Sequence, residues 1–311
     1  MNVSKAYGTA VMMKHFILDT DWFSDCDDAL AVRILANLHR QGKIKVDGIV
    51  INASTEYAVP ALSAFLQYSK VTDIPIALDK TADDFRGEAR YQKRLASLPS
   101  LLKCNDNAEN PLMLYRRILS KTTDKIHILE IGFLQVLARL LQSQPDEISP
   151  LSGLDLIKEK VAGFWVMGGN WSDASGGKEH NFCNNQRASC AASYFCRVCP
   201  VPVTFLGFEI GNTVISGTKL RNEDPLKRAM IDCGYPNGRC SWDPMLVLLG
   251  VSGDLESAGY RPVYGQATVD PDTGWNYFTE DSNGIQRYVI KTKTDSWYAN
   301  LIDQYVSDLS V

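Results

Sequence analysis

No stretch of this 311-residue chain approaches the roughly 18 consecutive apolar residues of a membrane helix, and the opening 1–14 holds only the short apolar run Val11-Met12-Met13. Neither a membrane span nor an export signal is expected, and the protein is placed in the cytoplasm. An excess of positive charge is also missing. The 32 Lys and Arg residues stand against 36 Asp and Glu, a formal net charge of -4, which leaves no electrostatic footprint for nucleic acid or an anionic membrane. The expected partner is a small molecule. No internal repeat, low-complexity tract or Pro/Gly/Ser-rich linker divides the chain, and 45% hydrophobic residues can bury a large core. One domain over 1–311 is expected.

Cysteine is not scarce, at eight residues, but without an export signal a disulfide framework is not expected. Cys183, Cys190, Cys196 and Cys199 cluster, and Cys196-Arg197-Val198-Cys199 has a zinc-like spacing. A second close pair is missing, and 186–199 reads as a helix whose small thiols belong in a core. A structural zinc is not expected there.

What the chain does contain is alternation. Compact apolar runs of strand length at 16–18, 46–51, 74–77, 126–131, 161–167 and 201–206 alternate with helical patterns at 27–38, 56–68, 111–119, 134–141 and 185–196. That order predicts an α/β fold, an open and mainly parallel sheet with helices on both faces. Segment 79–110, charged and without a clear strand, reads as an insertion over the sheet edge. Residues 260–288 read as short strands or a hairpin ahead of a final helix near 295–306.

The first run ends in acids: Asp19, Asp21, Asp25, Asp27 and Asp28 follow it directly. Carboxylates packed this closely repel and raise one another's pKa values, so a hard cation such as Ca²⁺ or Mg²⁺ is a natural partner. Helix capping is the alternative. It suits Asp25, Asp27 and Asp28 but not Asp19 and Asp21 on the strand side. Ligands of such sheets sit beyond the carboxyl ends of the strands, and further polar signals collect there: Asn52 to Glu56, Glu130 to Phe133, Gly168-Gly169-Asn170, and Glu179-His180-Asn181. Glu179 and Asn181 flank one residue, so on an extended loop they point to the same side. His15 and His127, at strand starts, read as structural, and His39 suits a helix C-terminus. His180 is the histidine expected near the pocket, and Glu209 reads either as a supporting acid or as a helix-start residue.

In order, Asp19-Thr20-Asp21, Asp25-Cys26-Asp27-Asp28-Ala29, Met167-Gly168-Gly169, Glu179-His180-Asn181-Phe182 and Trp242-Asp243-Pro244 resemble the motifs of the inosine-uridine preferring nucleoside hydrolase family, from about residue 16 onward. The resemblance implies Ca²⁺-dependent hydrolysis of a ribonucleoside's N-glycosidic bond by a homo-oligomer. It implies Ca²⁺ ligands at Asp21, Asp28, the backbone carbonyl of Ile131 and Asp243, with Asp21 and Asp27 catalytic and Asp21 the general base. It places Asp27, Asn52, Met167, Glu179 and Asn181 around the ribose.

The departures bear on the substrate. Five residues, Trp22 through Cys26, separate Asp21 from the Asp27-Asp28 pair, a longer spacing than the common family opening, and they leave Asp25 as an additional acid. The stretch Gly132 to Val136 is altered from the family form. Trp242 stands where the family usually has a His that protonates the leaving base, and an indole cannot donate that proton near neutral pH. Trp242 is either a buried core aromatic or a residue that stacks on the nucleobase or narrows the pocket. Two other functions stay open: hydrolysis of a modified nucleoside or another ribosylated metabolite, and Ca²⁺-dependent ribose or nucleoside binding without turnover.

Overall fold

The computed structural model describes residues 13–307. Segment 1–12, most of the opening read above for an export signal, lies outside the described residues. Among the described residues eleven strands form: β1 His15–Thr20, β2 Lys45–Ile51, β3 Ile76–Leu78, β4 Ile126–Glu130, β5 Val161–Met167, β6 Val203–Leu206, β7 Ile215–Ser216, β8 Arg239–Cys240, β9 Tyr260–Val269, β10 Asn276–Glu280 and β11 Gln286–Lys291. Nine join one sheet in the order β10-β9-β11-β6-β5-β4-β1-β2-β3, while β7 and β8 pair apart from it. Within the large sheet β9 alone runs against its neighbours. The chain therefore forms the open, mainly parallel α/β sheet that its alternation predicts.

Burial on both faces follows from the strand sequences. Along β1, Phe16 and Leu18 enter one core while Ile17 enters the other, and β5 divides Trp165 and Met167 from Phe164 and Val166 in the same way. Helices Asp27–Arg40, Ala58–Tyr68, Asp243–Ser252 and Asp295–Ser307 cover the first face; Pro111–Lys121, Gln135–Gln142, Gly153–Lys160 and Gln186–Val198 cover the second. Both Cys196 and Cys199 are buried in the second core. Among the described residues, no helix is long and apolar enough to cross a membrane.

Residues 260–288 form strands ahead of the final helix as expected: β9 and β10 pair antiparallel, and β11 pairs in parallel with β6 and extends the main sheet. Segment 79–110 does cover the sheet edge, because the N–H of Leu78 donates to the Glu109 carbonyl and the N–H of Glu109 to the Ile76 carbonyl, each at 3.1 Å. Covering that edge protects β3 from pairing with other chains. Helix Asp243–Ser252, DPMLVLLGVS, is apolar around most of its circumference and buried, so no periodicity announces it.

One buried ion pair fastens the first helix to the later chain. Arg33 is fully buried, donates to both Asp224 oxygens at 3.0 and 2.9 Å, and lies 4.9 Å from the Phe65 ring centre. Asp224 also caps helix Pro225–Asp232, accepting from the Leu226 N–H. Truncating one partner strands the other as a buried charge, so Arg33→Ala is expected to cost about 3 to 5 kcal/mol. Urea unfolding measures it, and a loss below about 1 kcal/mol would contradict the pairing.

Candidate active site

Strand order reverses at β1. The chain leaves it toward β2 and β3 on one side and returns to place β4, β5 and β6 on the other, which opens a crevice at the carboxyl ends between β1 and β4. A cavity of about 230 Å³ lies there. Its wall brings together Asp21, Asp27, Asp28, Ile131, Met167, Glu179, Asn181, Trp242 and Asp243, all singled out from the sequence, with Asp25 and His180 beside them. Ser24, Phe208 and Arg239 complete it without having been anticipated. Larger hollows elsewhere, beside β3 and at the amino ends of β4 and β5, gather at most two acids each.

The acids converge because the chain turns sharply after β1. Trp22 has a left-handed φ of 46°, which side chains rarely adopt, and its fully buried ring packs against Phe65 and Tyr91. Its N–H donates to Thr20 Oγ1 at 3.1 Å and to Asp28 Oδ1 at 3.2 Å, while Thr20 Oγ1 donates to the same Asp28 oxygen. Asp28 is thereby drawn back toward the end of β1, beside Asp21. Asp27 Oδ2 accepts from the N–H groups of Trp242 at 3.0 Å and Asp243 at 3.2 Å. The first helix thus anchors the start of helix Asp243–Ser252 and sets Asp243 at the cavity.

Gly132 brings the loop after β4 into place. A Cβ there would stand 2.3 Å from the Asp21 backbone nitrogen and 2.7 Å from Asn52 Oδ1, so only glycine lets the Ile131 segment lie against β1. Asn52 sits behind this loop and is not part of the cavity wall. It is fully buried, donates to Asp19 Oδ1 at 2.8 Å and Glu130 Oε1 at 3.2 Å, and accepts from the Phe133 N–H at 3.1 Å. Tyr115 donates to the other Asp19 oxygen at 2.9 Å. Asn52, placed around the ribose by the resemblance, instead braces two strand-end acids against each other.

Glu179 and Asn181 do not lie on an extended loop. Glu179 caps the short helix His180–Cys183, taking the Asn181 N–H on Oε1 at 2.9 Å and the Gly169 N–H on Oε2 at 3.1 Å. Asn181 Nδ2 donates to the Met167 carbonyl at 3.1 Å, which leaves its Oδ1 without a partner among the described residues. Both side chains still reach the cavity. Trp242 is half-buried; it stacks on Phe208 with ring centres 5.5 Å apart, and its indole N–H donates to the Phe208 carbonyl at 2.7 Å. Glu209 accepts from the Trp171 N–H at 3.2 Å and is not part of the cavity wall.

Six carboxylates, of Asp21, Asp25, Asp27, Asp28, Glu179 and Asp243, face one guanidinium, that of Arg239. Arg239 pairs with Asp25 at 2.9 Å. Burial tends to raise Asp25, but its hydrogen bonds to Asp27 and the Arg239 charge outweigh that and hold it below the ordinary carboxylate range. The others go up. Burial, then the charges of Asp25 and Asp27, push Asp21 to about 8. Burial and neighbouring acids raise Asp27, Asp28 and Asp243 well above their usual values. Burial takes Glu179 to about 7 against the pull of its backbone hydrogen bonds.

By donor chemistry this set fits a hard divalent cation: oxygen ligands only, in excess of the positive charge beside them. Its spacing is not closed around an ion, since among the described residues no three His, Cys, Asp or Glu side chains form a metal-holding group.

Solved structures show the same fold at low sequence identity. An inosine-uridine preferring nucleoside hydrolase from Bacillus anthracis superposes with a TM-score of 0.66 at 15% identity, covering 96% of this chain and 99% of that one. The type III effector protein XopQ, solved in complex with adenosine diphosphate ribose, gives 0.68 at 13% identity over 97% and 96%. Another effector protein gives 0.69 at 14% identity over 97% and 95%. No family model and no curated protein matches the chain.

The crowded acids make a prediction about pH. Ordinary carboxylates titrate near 4 in the unfolded chain, whereas Asp21 is raised to about 8 and Glu179 to about 7 in the fold. The folded state therefore binds more protons between these limits, and stability falls as pH rises through them. Asp25 has the opposite sign and acts only below the ordinary range. In chelator, the melting temperature should fall by several degrees from pH 5 to pH 8. A higher value at pH 8 would contradict the assignment.

Proposed function

We propose that the chain hydrolyses an N-ribosyl bond, with Ca²⁺ held by Asp21, Asp28, Asp243 and the Ile131 carbonyl. One observation carries this reading: those groups share a single cavity with Glu179 and Asn181, so a cation-seeking wall meets a wall of sugar-hydroxyl acceptors. When bound, Ca²⁺ would anchor vicinal ribose hydroxyls and polarise the attacking water through its adaptable oxygen coordination.

The chain's own residues do the rest. Asp21 accepts the proton of the attacking water, and its burial makes it a stronger base than a carboxylate in water. Each Glu179 oxygen already takes one backbone N–H and keeps a lone pair for a ribose hydroxyl. The uncommitted Asn181 Oδ1 accepts from the same sugar. Asp27, fixed by the Trp242 and Asp243 N–H groups, adds negative charge near a ribosyl oxocarbenium-like transition state.

Binding without turnover is the second reading. It is favoured by Trp242, whose indole N–H is spent on Phe208 and has no proton to give a departing base. A ribosylated ligand such as the adenosine diphosphate ribose found with XopQ would then occupy the cavity.

Hydrolysis assays in calcium separate the two. Inosine or uridine should be cleaved at least about 100-fold faster than the 2′-deoxy counterpart, because removing one chelating hydroxyl leaves a cation position unfilled. Asp21→Asn should lower kcat by about 10²- to 10⁴-fold. Equal rates on both sugars would contradict ribose chelation, and tight ligand binding with no base release would favour the second reading. Calcium titration checks the ligands: the double variant Asp28→Ala/Asp243→Ala should lose binding, and retention at wild-type affinity would refute them.

A further inference from the structure

The cavity wall carries an imidazole that the proposed chemistry has not used. His180 stands exposed at its rim, and its Nε2 lies 2.9 Å from Asn184 Nδ2. Which of these atoms donates is decided further away. Asn184 Oδ1 accepts the Arg86 N–H at 2.7 Å and Asn184 Nδ2 donates to the Arg86 carbonyl at 2.9 Å, so the carboxamide cannot be turned round without losing both bonds. Nδ2 must therefore donate to His180 Nε2. A neutral imidazole accepting on Nε2 carries its proton on Nδ1, and Nδ1 has no partner among the described residues.

We propose that His180, in the Nδ1–H tautomer set by Asn184 and Arg86, donates to the leaving group the hydrogen bond that Trp242 cannot supply. This rests on the hydrolase reading above. The step balances without a proton leaving the imidazole. The water oxygen forms the new bond to the anomeric carbon, and the breaking C–N bond gives its electron pair to the base. Asp21 receives the water's proton, and solvent supplies the proton that neutralises the base. The Nδ1–H stabilises the negative charge that develops on an acceptor nitrogen or carbonyl oxygen of the base. The substrates favoured are ribosides whose base carries such an acceptor. Arg86 belongs to segment 79–110, so the edge-covering insertion also sets the polarity of the pocket rim.

The test varies the leaving group. In calcium, His180→Phe should lower kcat/KM on uridine by about 10- to 100-fold. Its loss on p-nitrophenyl riboside, whose leaving group needs little help, should be at least tenfold smaller. Asn184→Leu, which keeps the ring but frees its tautomer, should give a smaller loss with the same substrate dependence, and His180→Gln should recover part of it. A uniform loss on both substrates, or none, overturns this inference while leaving the hydrolase reading intact. A wild-type protein that cleaves neither substrate overturns both. Nitrogen-15 NMR of the wild-type ring, assigned with His180→Gln, reads the tautomer without any turnover. Protonation at Nε2 instead of Nδ1 would overturn the inference.

Discussion

Six carboxylates share the wall of a cavity of about 230 Å³ with one guanidinium, and most of the surrounding architecture manages that charge. Left alone, such a group would either take up protons or push itself apart, since like charges in a poorly solvated space raise one another's pKa values steeply. Burial and, for the aspartates, neighbouring acids favour the first response: Asp21, Asp27, Asp28, Glu179 and Asp243 are all raised. Only Asp25, beside Arg239, is held low. A divalent cation would replace those protons with one compact charge, which is why the electrostatic problem and the proposed chemistry have the same answer.

The cluster is held by backbone as much as by side chains. Trp22 accepts an unusual conformation because its ring is locked in the core, and its N–H fixes Asp28. Asp27 takes two N–H groups at the start of a buried helix, where the helix dipole also favours negative charge. Behind the loop after β4, the amide of Asn52 separates Asp19 from Glu130. Burial raises Asp19 to about 8 and Glu130 well above its usual value. The acids therefore form two layers, one facing the cavity and one bracing it.

Much of this was legible in the chain. Acids after a strand are a local signal that marked Asp21, Asp27 and Asp28, whereas Asp243 was reached only through the resemblance of Trp242-Asp243-Pro244 to a family motif. The six leading strands could be read because β-rich runs alternated with helical patterns. Other parts depend on contacts between distant residues. Asn52 follows a strand just as the cavity residues do, yet Asp19, Glu130 and the Phe133 N–H take up its amide. Arg239 and Phe208 lie in short elements without periodicity, and nothing near them in sequence reveals that the Asp25 carboxylate or the Trp242 ring will meet them. Glu179 and Asn181 were recognisable as a pair, but the helix turn between them was not.

If the carboxylate cluster is a ribose-bearing cation site, as proposed, calcium and ribose must meet on it. A crystal structure of the protein grown with calcium and ribose tests it most directly. An ion is expected within about 2.3 to 2.6 Å of Asp21, Asp28, Asp243 and the Ile131 carbonyl oxygen, with two sugar hydroxyls completing its shell and Glu179 and Asn181 hydrogen-bonded to the sugar. Calcium bound elsewhere, or Asp21, Asp28 and Asp243 holding no ion with sugar and metal both present in excess, would contradict it.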